Sequence, residues 1–161
     1  MDAKQMLEDM ADLESRIAVI YERFAAQFRE AADVGDLWTS MSREEMHHAD
    51  LLSRAADGTQ HMTVDPSVVE HVAKLQAVVV RYEGDQAKIV HLQDALEATL
   101  DLEEAEADHL HAHLIQLGAA ANALVDSPSM QHQLRGVLEH AVKLFGTAAL
   151  QQRLAAHRLD S

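Results

Sequence analysis

The chain contains no cysteine, and that one absence removes disulfides, cysteine-ligated iron–sulfur clusters, thiolate zinc sites and cysteine nucleophiles. Proline and glycine are scarce, at two and six in 161 residues, and β-branched runs are few. A chain so poor in breakers and so rich in alanine, leucine, glutamate and glutamine reads as all-α. No apolar run reaches the length of a membrane span, and the opening MDAKQMLEDMADLE lacks a signal-peptide core. The expectation is a cytoplasmic protein that does not enter membranes. Positive charge is also short, with 13 Lys and Arg against 27 Asp and Glu, for a net charge of −14. Phosphate backbones need clustered Lys and Arg, so nucleic acid is not the expected partner. Anionic lipid surfaces are disfavoured for the same reason, and cations are attracted. There is no glycine-rich phosphate loop and no defensible Ser-His-Asp order.

What the chain does have is helical periodicity, over a length that suits one domain spanning residues 1–161. Gly35, Gly58, Gly84 and Gly118 divide it into five helical segments. These run from about Asp2 to Ala32, Asp36 to Ala56, Ser67 to Tyr82, Asp85 to Leu117 and Pro128 to His157. Asp65-Pro66 and Ser127-Pro128 each place a capping side chain before a first-turn proline. Short loops join the first two segments and the last two. The Ser67–Tyr82 segment lies in a longer connection between the pairs. This is the plan of a four-helix bundle of two hairpins, with a long crossover that contains an extra short helix. The run Ala77-Val78-Val79-Val80 is apolar on every face, so it can cover the bundle or pack between subunits of a homo-oligomer.

The inward stripes carry charge. Leu92, Leu96, Thr99, Glu103, Glu106, Leu110, His113 and Leu117 are spaced by alternating steps of four and three, which places them on one helix face. Glu14 interrupts the stripe Met10, Ile17, Tyr21, Phe24, Phe28. Glu45 and His48 interrupt Trp38, Met41, Leu52, Ala55. A buried charge costs on the order of several kcal/mol unless it is paired or bound to a cation. Glu14, Glu45, His48, Glu103 and Glu106 therefore have the pattern of metal ligands in a bundle core. Glu44 and His47 form a second Glu-x-x-His that overlaps Glu45 and His48, but they lie to one side of the stripe. A faint repeat relates the two hairpins: Glu-to-His separations are 34 residues (14 to 48) and 37 (103 to 140), which sets the pairs at similar depth. His109 and His113 are one turn apart and are further candidates, whereas Tyr21 is either core packing or a redox-active neighbour of a metal.

These residues resemble the ferritin-like superfamily, and most of all its rubrerythrin branch, from about Leu7 to Leu154. In that family the first helix supplies Glu, the second Glu-x-x-His and the third Glu-x-x-Glu. Glu14, Glu45 with His48, and Glu103 with Glu106 fill those places, and Tyr21 resembles the family's first-helix tyrosine. The resemblance implies a di-iron site in which carboxylates bridge two Fe(II) ions, capped by His48 and by His140 from the last helix. It implies Fe(II) oxidation by oxygen or peroxide, in iron handling or oxidative-stress protection. The mixed oxygen and nitrogen donors also suit Mn or Zn. The chain departs from the family in the last helix, where Val137 stands in the place of an expected Glu, and Glu139 is one position from His140. No rubredoxin cysteines are present, so electrons would come from an external donor or from the iron itself. Two rival readings stand beside this one. The bundle could bind metal without catalysis, for sequestration or sensing, or its polar core could be structural and metal-free.

Overall fold

The computed structural model describes residues 2–59, 63–84 and 88–117, with the side chains of 32, 33 and 107–117 excepted. Among the described residues there are four helices and no strand: α1 Ala3–Gln27, α2 Ala32–Gly58, α3 Pro66–Glu83 and α4 Leu92–Leu117. A single isolated bridge pairs Asp2 with Thr63. The all-α expectation holds over this span. The expected helix from Pro128 to His157, and with it the second hairpin and the complete crossover, lies outside the described residues.

Capping side chains mark the starts of α1 and α3. Asp2 caps α1 by accepting from the Lys4 N–H at 3.1 Å. Asp65 caps α3 by accepting from the Ser67 N–H at 2.8 Å, with Pro66 in the first turn, as its sequence signature foretells. Two boundaries differ from the sequence reading. The first hairpin turns at Phe28–Ala31, and Gly35 lies inside the first turn of α2 instead of ending a helix. Packing sets this turn: Phe28 leaves helical geometry (φ −111°, ψ 29°), and its ring packs 5.7 Å from that of Trp38. Phe24 meets the same indole edge-on at 5.4 Å. The second difference is that α4 starts at Leu92 and not near Asp85. Asp94 determines that start, because its carboxylate accepts from the N–H groups of Val90 and His91 at 3.2 and 2.8 Å.

α1 is the hub. It packs along α2 as a hairpin and also touches α3 and α4, while α3 lies against α4. The core is built from Met6, Met10, Ile17, Tyr21 and Phe24 of α1, Trp38, Met41 and Leu52 of α2, Leu75 and Val79 of α3, and Leu96 and Leu100 of α4. Of the run at residues 77–80, Val79 is buried and Val80 is exposed. No helix among the described residues is long and apolar enough to cross a membrane.

The end of α3 is held from two sides. Arg16 of α1 forks onto the Glu83 carboxylate at 2.6 and 2.7 Å, and Arg23 donates to the main-chain oxygens of Tyr82 and Glu83. The Tyr82 hydroxyl donates to Asp101 of α4 at 2.5 Å. Gln27 then holds the approach to α4 by donating to the Ile89 carbonyl at 2.7 Å.

Candidate metal centre

Helical spacing delivers the charged side chains to one place. Glu14 comes from the middle of α1, Glu45 and His48 from successive turns of α2, and Glu103 and Glu106 from successive turns of α4. All five are buried, none more than 2% exposed. Of the two overlapping Glu-x-x-His pairs, Glu45 and His48 are inside, whereas Glu44 is half-buried and His47 exposed. Glu14, Glu45, His48 and Glu106 each offer one ligand atom, and these four atoms all lie within 4.8 Å of one another. That span suits the coordination sphere of one ion, because opposite ligands on a metal with bonds of about 2.1 Å are roughly 4.2 Å apart.

Hydrogen bonding does not account for the cluster. His48 Nδ1 is 3.0 Å from Glu45 Oε2, but 4.0 Å from Glu14 Oε2 and 3.9 Å from Glu106 Oε1. Glu14 Oε2, Glu45 Oε1 and both oxygens of Glu106 have no hydrogen-bond partner. Leaving such groups unpaired costs about 1–3 kcal/mol each, and more when they are charged. The environment shifts their protonation accordingly. Burial, then the nearby Glu45, raises Glu14 well above the ordinary carboxylate range. Burial, then the charge of Glu106, does the same to Glu45, and burial with Glu14 does so to Glu106. His48 is pushed down to about 4 by burial and by His47, so its ring is neutral at pH 7 and its nitrogen lone pair is available. Three carboxylates and a neutral imidazole, with several oxygens unpaired, fit a divalent cation.

Glu103 is not among the four residues whose ligand atoms lie within 4.8 Å of one another. Its Oε1 accepts from the buried Tyr21 hydroxyl at 2.6 Å. Burial raises it to about 7, and the Tyr21 donor pulls in the opposite direction. Its charge still acts on Glu14, Glu45 and Glu106, so it belongs to the same polar pocket. One supporting contact escaped the sequence reading. Trp38 Nε1 donates to Thr99 Oγ1 at 2.9 Å, and Thr99 donates to the Ala95 carbonyl at 2.7 Å. Thr99 is one turn before Glu103, and its polar place on an apolar stripe was the available signal. His140 and Val137 lie outside the described residues, as do the side chains of His109 and His113. No protein-family model matches the chain, and neither a curated protein nor a solved structure does.

Proposed function

We propose that this protein is a ferritin-like bundle of the rubrerythrin type that binds iron and oxidises Fe(II) with oxygen or peroxide. The observation that carries the proposal is the set of four buried carboxylate oxygens without partners, facing a neutral imidazole. Glu14, Glu45, His48, Glu103 and Glu106 would hold the metal, with His140 as a further ligand. Two bound Fe(II) ions would supply the two electrons that reduce oxygen to peroxide, or peroxide to water. The chain's own contribution is to neutralise the cations with carboxylates and to exclude bulk water from the pocket. The Tyr21 hydroxyl donates to the ligand candidate Glu103, and it can pass a proton to or from that carboxylate. Mn and Zn suit the same donors.

A second reading is supported by the compactness of the Glu14, Glu45, His48 and Glu106 group, which suits a single ion. On that reading the bundle holds a metal for sequestration or sensing and does not turn over oxygen. The test is anaerobic loading with Fe(II), desalting and elemental analysis per chain, followed by exposure to oxygen with optical detection of Fe(III). About two irons per chain and prompt oxidation are expected. One iron without oxidation selects the second reading, and no iron overturns both. Glu45→Ala is expected to abolish tight binding, and unchanged metal content in that variant would refute the ligand assignment.

A further inference from the structure

We propose that Tyr21 is a latch on Glu103, so that the pocket fills in two unequal steps: a first cation at Glu14, Glu45, His48 and Glu106, and a second only when Glu103 exchanges the Tyr21 hydroxyl for the metal. The inference rests on the metal-binding reading above and adds an order of loading and a residue that controls it.

Two observations carry it. The atoms that converge on one point, within 4.8 Å of one another, come from four residues and not from five. The fifth, Glu103, is one helical turn from Glu106 and equally buried, yet its Oε1 is engaged by the Tyr21 hydroxyl at 2.6 Å. Glu14 Oε2, Glu45 Oε1 and both Glu106 oxygens have no partner to give up, and the His48 Nδ1–Glu45 Oε2 hydrogen bond at 3.0 Å joins two members of the same group. Glu103 has one to lose, and it is the strong kind, a hydroxyl donating to a carboxylate in a pocket closed to water. Tyr21 is itself held in place, fully buried in the α1 core between Ile17 and Phe24 on the same stripe. The latch therefore stabilises the state in which Glu103 is withheld, and the second cation binds against it. Tyr21 acts here as a positioning residue.

The alternative geometry makes the opposite prediction. If Tyr21 kept its bond to one oxygen while Glu103 ligated through the other, the hydroxyl would support the bound state, and its removal would weaken binding. The experiment is calorimetric and optical titration of the metal-free, full-length protein with Co(II), for wild type, Tyr21→Phe and Glu103→Gln. Cobalt is read by its ligand-field bands, so no turnover is needed. In Tyr21→Phe the second step is expected to tighten about tenfold, the scale of one hydrogen bond to a charged group, with the first step unchanged. If wild type takes up one cobalt, the variant is expected to take up two. In Glu103→Gln the first step is expected to survive and the second to disappear, which keeps the test decisive should Tyr21→Phe fold poorly. A second step that is unchanged or weaker in Tyr21→Phe overturns the latch, as does an equal shift of both steps or loss of the first step in Glu103→Gln. These outcomes leave the metal centre itself standing. Absence of any cobalt binding by wild type overturns the metal centre and the latch together.

Discussion

Glu106 has both carboxylate oxygens buried and neither hydrogen-bonded. A metal-free pocket of this kind must be relieved by protons, and this fixes how stability depends on pH. Carboxylates raised by folding bind more protons in the folded than in the unfolded chain, so stability falls as pH rises between the two values. For Glu103 that window runs from 4.5 to about 7. His48 works in the other direction: lowered from 6.5 to about 4, it removes stability as pH falls through that range. Among the described groups, His48 opposes the raised carboxylates only below its ordinary value of 6.5. The metal-free protein is therefore expected to melt at higher temperature at pH 6 than at pH 8. The net charge of −14 pushes the same way, so the share due to Glu103 is read from the smaller slope of Glu103→Gln. With Zn(II) bound the trend should reverse, because protons compete with the metal. A metal-free protein most stable at pH 8 would contradict this account. At this scale much was legible in the sequence. Steps of three and four marked which acidic residues are inside, down to Glu45 over Glu44. The Tyr21–Glu103 bond was not legible, because periodicity gives the face of a residue and says nothing of which atom it meets on another helix.

The elements show the same division. α3 was readable almost to the residue, because Asp65-Pro66 is a local signal that acts on its own backbone. The starts of α2 and α4 were not. One is set by the packing of Phe28 on Trp38, and the other by Asp94 reaching back to His91. Helices placed by tertiary contacts need those contacts intact, and the clasp on the end of α3 is one of them. Tyr82 reaches Asp101, two residues before Glu103, so it helps fix how α4 presents its carboxylates. Tyr82→Phe is expected to cost about 1 kcal/mol of stability and to weaken metal binding a few-fold. Equilibrium denaturation and a Co(II) titration check the two effects. The Arg16–Glu83 fork is partly exposed, at 26% and 38%. Arg16→Ala is accordingly expected to cost no more than about 1 kcal/mol, with the difference shrinking in high salt. A loss of Arg16 that unfolded the protein would show that the clasp holds far more than its exposure allows.

For the whole molecule, the all-α class followed from composition and periodicity, whereas the meeting of three distant segments did not. Residues 14, 45, 48 and 106 converge only when α4 has docked on the α1–α2 hairpin. The hairpin is local and closes over a four-residue turn, so it is expected to form early, while α4 must close a much longer loop. A cation held by all three helices would then be absent from the folding transition state and present only in the finished structure. Zn(II) is expected to slow unfolding and leave the refolding rate unchanged, as followed by stopped-flow fluorescence of the single, fully buried Trp38. Faster refolding in the presence of metal would show that the hairpin alone already captures the ion. If the pocket closes last, a growing or half-folded chain offers no complete site to whichever cation reaches it first. On the metal-binding reading, the choice of metal would then fall to the finished protein, whose helices bring these side chains together, and it would be made after synthesis and not during it.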